Sequence, residues 1–302
     1  MDFRKSDLKT EHKKLEKIRE IHIESTYFDL EKTLYCGQAF RWRKAGDVFY
    51  APIDHSVVVA RKTAVTSTIQ TNKTESYIFE IYGDDFTKEQ LITYFDLNRD
   101  YASILEEISG IDEHLKAAVL YGKGIRIMRQ GLVEMLITFI LSSNNNIPKI
   151  SMTVEALCEK FGDALGVYNG EVLYSFPTIA QLSDASLEDL NVKAIGYRAK
   201  SLYATVQLLL NSQLDLNEPF RLSHHTSVEW LKQFHGVGNK VANCILLFAY
   251  GDYEAFPVDT WVKRMLNELY GVEKKHEAFV ESYFTKFPGI AQQYLFYYIR
   301  KG

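Results

Sequence analysis

Lys240 and Asp259 are the residues whose setting most suggests covalent chemistry. Lys240 follows Phe234-His235-Gly236-Val237-Gly238-Asn239, so it falls in the first turn of a helix that opens after a Gly-x-Gly turn. There the helix-end potential and partial burial both favour the neutral amine, which is the nucleophilic form. Asp259 comes nineteen residues later, after Phe256-Pro257-Val258. The proline breaks the chain, and the aspartate then stands as N-cap of an amphipathic helix from Thr260 to Tyr270. A helix, a loop and a cap can bring an amine and a carboxylate together. The plain alternatives are a surface lysine and an ordinary cap.

The turn before Lys240 carries a second kind of chemistry. An apolar helix over 225–234 runs into Gly236-Val237-Gly238 and at once into a helix over 239–250. The glycines permit positive φ and let another backbone come close. The open N–H groups of the second helix, at its positive end, form a site for a phosphate. This pattern at 225–250 is a helix-hairpin-helix, a sequence-neutral grip on a nucleic-acid backbone; an αα-corner with a glycine turn is the alternative.

These groups must be positioned by the rest of the 302 residues, which are 46% hydrophobic and 25% charged with only 6 prolines. That composition excludes collagen, mucin and bulk disorder and is enough for two or three packed domains. Cys36, Cys158 and Cys244 are few, odd in number and far apart, which argues against a disulfide scaffold or a four-cysteine cluster and for a reducing interior. No apolar run approaches the roughly 20 residues of a membrane span, and the opening Asp2, Arg4, Lys5, Asp7 resembles no targeting segment, so an intracellular, cytoplasmic or nucleoid location is expected. The net charge of −4 speaks against bulk electrostatic binding of DNA, although a charge sum ignores local clusters and backbone amides.

Residues 1–20, rich in Lys and Glu, read as a charged arm or solvated helix. Residues 21–100 carry short β-type runs, Val57-Val58-Val59, Val65 to Ile69 and Tyr77 to Tyr82, with turn signals between some of them. From 101 to 302 the apolar spacing becomes helical, in segments that include 100–121, 131–141, 147–161, 186–190, 197–211, 274–286 and 289–300. The expected fold is α+β: an N-terminal antiparallel β-sheet domain followed by a larger all-helical part that contains the hairpin.

The stretch from Phe234 to Asp259 resembles the helix-hairpin-helix glycosylase (HhH-GPD) superfamily, and within it the 8-oxoguanine DNA glycosylase/AP lyase family. Cys36-Gly37-Gln38-Ala39-Phe40-Arg41-Trp42, Ser142-Ser143-Asn144-Asn145-Asn146-Ile147, Gly196-Tyr197-Arg198-Ala199 and Leu295-Phe296 resemble further motifs of the same family, in its order. The likeness spans roughly residues 25 to 300.

This resemblance implies a bifunctional enzyme that acts on double-stranded DNA containing 8-oxoguanine. Lys240 would attack the deoxyribose, expel the base and form a Schiff base that nicks the strand by β-elimination; Asp259 would stabilise the developing positive charge. The Gly37 carbonyl would read the N7 hydrogen of the lesion. Cys244 and Phe296 would sandwich the base while Gln292 bonds its Watson–Crick edge. Lys240 and Cys244, like Gln292 and Phe296, are four apart and share a helix face. For Gly37 a bulge, and for Cys244 and Phe296 core packing, remain alternatives.

Asn144, Tyr197 and Arg198 would fill the gap left by the flipped base and address its partner. Lys149, after Pro148, stands where the family carries arginine; lysine lacks the planar fork, so the preference for cytosine should relax. His235 replaces a common proline and Trp261 a histidine of some members. The family likeness adds a structural cation on the carbonyls of Lys232, Phe234 and Val237, no required cofactor, no iron–sulfur cluster and a monomer. A monofunctional alkylbase glycosylase of the same superfamily and a non-enzymatic DNA clamp are the competing readings.

Overall fold

A computed structural model describes residues 14–63 and 74–300. The Val65 to Ile69 run and the first thirteen residues lie outside the described residues. The N-terminal sheet consists of β1 (Lys17–Ser25), β2 (Arg43–Ala45), β3 (Val48–Ile53), β4 (Ser56–Lys62) and β5 (Glu75–Gly83). All neighbours are antiparallel, in the order β1-β5-β4-β3-β2. Val57, Val58 and Val59 are all buried, because both faces of the sheet are covered. Helices α1 (Leu30–Tyr35) and α2 (Lys88–Tyr94) cover one face around Val58, Phe79 and Ile81.

The expected N-terminal boundary needs correction. Lys17 to Glu20 are not part of an arm or solvated helix; they begin β1, whose Ile21 and Ile23 are buried against the sheet core. The charges that suggested a solvated arm pair across the strand instead: Lys17 with Glu80 at 2.8 Å and Arg19 with Asp85 at 2.8 Å. An edge strand keeps such charges in water.

The larger part is mostly helical, with α3 (Tyr101–Ser109), α4 (Glu113–Gly122), α5 (Leu132–Leu141) and α6 (Ile147–Phe161) leading to a hairpin of β6 (Ala164–Tyr168) and β7 (Glu171–Tyr174). It is therefore not all-helical. Asn169 and Gly170, with φ of 51° and 80°, form the hairpin turn. The hairpin covers the second face of the sheet, where Leu173 packs with Tyr50, Val57 and Val59.

After the hairpin come α7 (Arg198–Asn211), α8 (His224–Leu231), α9 (Asn239–Ile245), α10 (Thr260–Tyr270), α11 (His276–Tyr283) and α12 (Pro288–Ile299). The 186–190 segment forms turns rather than a helix, pinned by Ser186 Oγ donating to Asp189 at 2.6 Å. The 100–121 segment is two helices, because Gly110 ends the first and Asp112 caps the second. The 239–250 segment is α9 continued by a π-turn over Leu246–Tyr250.

Helix α5 is the central post: every residue from Met135 to Leu141 is buried. Cys36 and Phe40 belong to this helical core, whereas Leu34 and Trp42 belong to the sheet core. The 36–42 loop thus crosses between the two. Gln38 fixes it with a buried side chain that donates to the Thr33 and Arg126 carbonyls and accepts from Met128 N at 2.9 Å.

Candidate active site

Lys240 is the second residue of α9, and its amine donates to Ser142 Oγ at 3.3 Å. Ser142 caps the C-terminal end of α5 and gives its own hydrogen to the Phe139 carbonyl at 2.7 Å, so its free lone pair faces the amine. The Lys240 amine also lies 5.7 Å from the Phe139 ring centre. Asp259 is the N-cap of α10, as its position after Pro257 implies, and accepts from Val262 N at 2.9 Å. Ammonium and carboxylate line one cavity of about 290 Å³ together with Gly37, Cys244, Gln292 and Phe296.

Clefts of about 470, 550 and 700 Å³ lie elsewhere, so size alone does not single out this site. The convergence of a primary amine, a carboxylate and an aromatic slot does. Phe40, Phe139 and Phe248 give the slot its apolar walls; Phe139 and Phe248 stack with centres 5.5 Å apart. Burial pushes the Cys244 thiol up from its ordinary value, while Lys240 pulls it down and Asp259 pushes it further up. The neutral thiol offers a soft, polarisable surface one helical turn from the amine.

Opposite, Gly37 has φ of +100° and sits against Phe296. Gln293 Nε2 donates to the Cys36 carbonyl at 2.8 Å, which ties the Gly37 loop to α12. Gln292 is buried, and its Oε1 has no hydrogen-bond partner among the described residues. A buried acceptor without a partner is costly in a closed core, so its place on a cavity wall has chemical meaning.

The remaining residues do not line the cavity, although Asn145, Asn146, Ile147 and Pro148 of the same loop do. Asn144 follows α5 in the left-handed region, with φ of +48°. Tyr197 is 62% exposed beside it and donates its hydroxyl to the Ser143 carbonyl at 3.2 Å. Arg198 is buried, and its guanidinium is spent on the carbonyls of Ser143, Asn144 and Ile195. It therefore holds the loop. Lys149 is exposed in the first turn of α6. In the hairpin, Gly236 has φ of +88°, Val237 N donates to the Phe234 carbonyl at 3.0 Å, and Gly238 stands at the N-cap without a side-chain cap.

Ser142 and Arg300 were not singled out from the sequence as site residues. Arg300 also lines the cavity, and its guanidinium carbon lies 5.1 Å from the Phe296 ring centre. The 292, 296, 300 spacing on one helical face was the available signal for it.

A helix-hairpin-helix delivering a lysine, with a capping aspartate across an aromatic slot, defines a base-excision DNA glycosylase of the HhH-GPD class. Residues 137–287 match the HhH-GPD superfamily of base excision DNA repair proteins, and residues 20–136 match the N-terminal domain of 8-oxoguanine DNA glycosylase; the chain belongs to that glycosylase family. It is 31% identical over 294 residues to an N-glycosylase/DNA lyase of Arabidopsis thaliana, covering 91% of this chain and 78% of the relative. The N-glycosylase/DNA lyase of Saccharomyces cerevisiae is 30% identical over 271 residues, 85% of this chain and 72% of its own length. The fold is similar to that of a Clostridium acetobutylicum 8-oxoguanine glycosylase/lyase solved with double-stranded DNA containing cytosine opposite 8-oxoG. The TM-score is 0.80 and the identity 36%, over 96% of this chain and 99% of the other. Among the described residues no helix is long and apolar enough to cross a membrane.

Proposed function

We propose that this chain excises 8-oxoguanine from duplex DNA and then cleaves the abasic strand, with Lys240 as nucleophile. The observation that carries this reading is the meeting of Lys240 and Asp259, from two separate helix starts, in one cavity with the slot residues. The relatives described as N-glycosylase/DNA lyases and the clostridial enzyme with its 8-oxoG duplex support the same substrate.

A base inside a duplex is out of reach, so the nucleotide must rotate out of the stack. The Gly37 carbonyl accepts the N7 hydrogen that the lesion carries and guanine lacks. Phe296 and Cys244 sandwich the base, and Gln292 Oε1 takes a hydrogen from its Watson–Crick edge. The Lys240 amine attacks C1′ as the bond from C1′ to N9 breaks, and the base leaves with its bonding electron pair and takes up a proton. Asp259 stabilises the positive charge that develops on the sugar. The sugar ring then opens to a Schiff base on Lys240. Loss of a C2′ proton expels the 3′ phosphate, which nicks the strand.

Asn144 and the exposed Tyr197 ring enter the vacated gap, Arg198 positions the Asn144 loop, and Lys149 addresses the partner base. Gly236 and Gly238 offer the N–H groups that grip the backbone, and Val237, whose own N–H is spent on the Phe234 carbonyl, shapes the turn between them. The carbonyls of Lys232, Phe234 and Val237 are hard oxygen donors that would hold a cation, and that ion would supply positive charge for a phosphate. The Phe234 carbonyl keeps one lone pair beside the Val237 N–H. The excision and nicking steps run on side chains of a single chain and require no other cofactor.

A glycosylase that does not use its lysine has no call for an amine held at the slot, so Lys240 favours the bifunctional reading. The test is incubation with an 8-oxoguanine:cytosine duplex. Free 8-oxoguanine and a nicked strand are expected; release without nicking would favour the monofunctional rival, and binding without release the DNA clamp.

A further inference from the structure

His235 stands on the hairpin itself, exposed, between Phe234 and Gly236. Its Nδ1 lies 2.9 Å from Ser201 Oγ, a hydrogen bond that reaches across to α7. Ser201 is buried, and its hydroxyl sits so close behind the turn that a Cβ on Gly236 would come within 2.9 Å of it. The imidazole is thus anchored at its inner nitrogen. Its outer nitrogen, Nε2, has no hydrogen-bond partner among the described residues.

We propose that His235 is a phosphate ligand of the hairpin, donating its Nε2 hydrogen to one backbone phosphate while Ser201 holds the ring. This rests on the assignment of the hairpin as a DNA-backbone grip. A serine hydroxyl can donate to Nδ1, which places the proton of the neutral ring on Nε2, the tautomer that an anion selects. When the ring is protonated, Nδ1 becomes the donor and the hydroxyl the acceptor. Nε2 keeps its hydrogen in both states.

The anchor also has a geometric consequence. Tyr197 and Ser201 are four residues apart at the start of α7, so they share one face. Tyr197 and Arg198 hold the Ser143 and Asn144 carbonyls, and Ser201 holds His235. A single helix turn therefore sets the spacing between the loop that enters the duplex and the ring that meets its backbone. His235 is a positioning residue for the lesion.

The experiment uses the full chain and a duplex with a stable tetrahydrofuran abasic analogue, in which one phosphate at a time is replaced by a neutral methylphosphonate. At one linkage the wild type should lose about tenfold in affinity, the worth of a hydrogen bond to a charged group. His235→Ala should lose about tenfold on the unmodified duplex and nothing further at that linkage. His235→Gln, which keeps an N–H donor, should recover most of the loss, and Ser201→Ala should fall between. If His235→Ala loses the same factor at every linkage, or loses nothing, while the wild type still binds and excises 8-oxoguanine, the contact is wrong and the enzyme assignment stands. If the wild type neither binds nor excises, both fall together.

Discussion

Gly37 and Phe296 face each other so closely that a methyl group on Gly37 would lie 3.1 Å from the Phe296 ring edge. A side chain at 37 would push the Phe296 ring aside by a few tenths of an ångström, and the φ of +100° disfavours one as well. Gly37→Ala should lower excision of 8-oxoguanine at least about tenfold, from strain of about 1–3 kcal/mol and a narrowed slot. Single-turnover excision would check this, and an unchanged rate would remove Gly37 from base recognition.

Phe296 is only partly buried, and the Arg300 guanidinium lies beside its ring. A base stacked on an aromatic ring is worth about 1–3 kcal/mol. Phe296→Ala should therefore slow excision by about ten- to a hundredfold while leaving affinity for undamaged duplex nearly intact. Titration of lesion and undamaged duplexes side by side would decide; equal loss of both would make Phe296 a packing residue.

Lys149 projects from the first turn of α6, five residues after Asn144. Its ammonium cannot make the paired, planar contact of a guanidinium, so excision rates opposite C, A, G and T should lie close together. Lys149→Arg should widen the gap between cytosine and adenine by about tenfold. Rates over the four duplexes measure it, and an equally wide gap in the wild type would contradict the role given to Lys149.

Glu134 connects site scaffolding to pH. Burial pushes its carboxyl up to about 7 from the ordinary 4.5, against the pull of Arg41, whose Nη1 lies 4.0 Å away. The folded protein then holds the proton more tightly than the unfolded chain. The stabilising contribution is full below about pH 4.5 and is lost as pH rises through about 7. The side chain is 18% exposed, so solvent screening reduces the effect to about 1 kcal/mol. Glu134→Gln should flatten the fall in urea midpoint between pH 5 and 8; a slope equal to the wild type's would show that another group titrates there.

The site was legible where its logic is local. Asp259 as a cap depends on Pro257 and the helix that follows, and Lys240 and Cys244 share a face through helical spacing alone. What spacing could not supply was direction. Arg198 sits in the expected motif, yet its guanidinium turns inward to the Ser143 and Asn144 carbonyls. A sequence does not state whether such a fork meets a loop or a base.

The fold shows the same division. Val57-Val58-Val59 marked a strand, but the strand role of Lys17 to Glu20 depends on Glu80 and Asp85, residues more than sixty positions away. The β6–β7 hairpin is a different case. Asn169-Gly170 between Val167 and Val172 is a strong hairpin signal that the surrounding helical periodicity obscured. Ser142 as the partner of Lys240 arises only when α5 and α9 pack together.

The central claim is that the Lys240 amine forms the covalent link to the sugar, and borohydride reduction during turnover tests it directly. With an 8-oxoguanine duplex the wild type should yield a stable protein–DNA adduct that maps to Lys240, and Lys240→Gln should yield none. An adduct on another residue, or excision without any adduct from the wild type, would contradict the account.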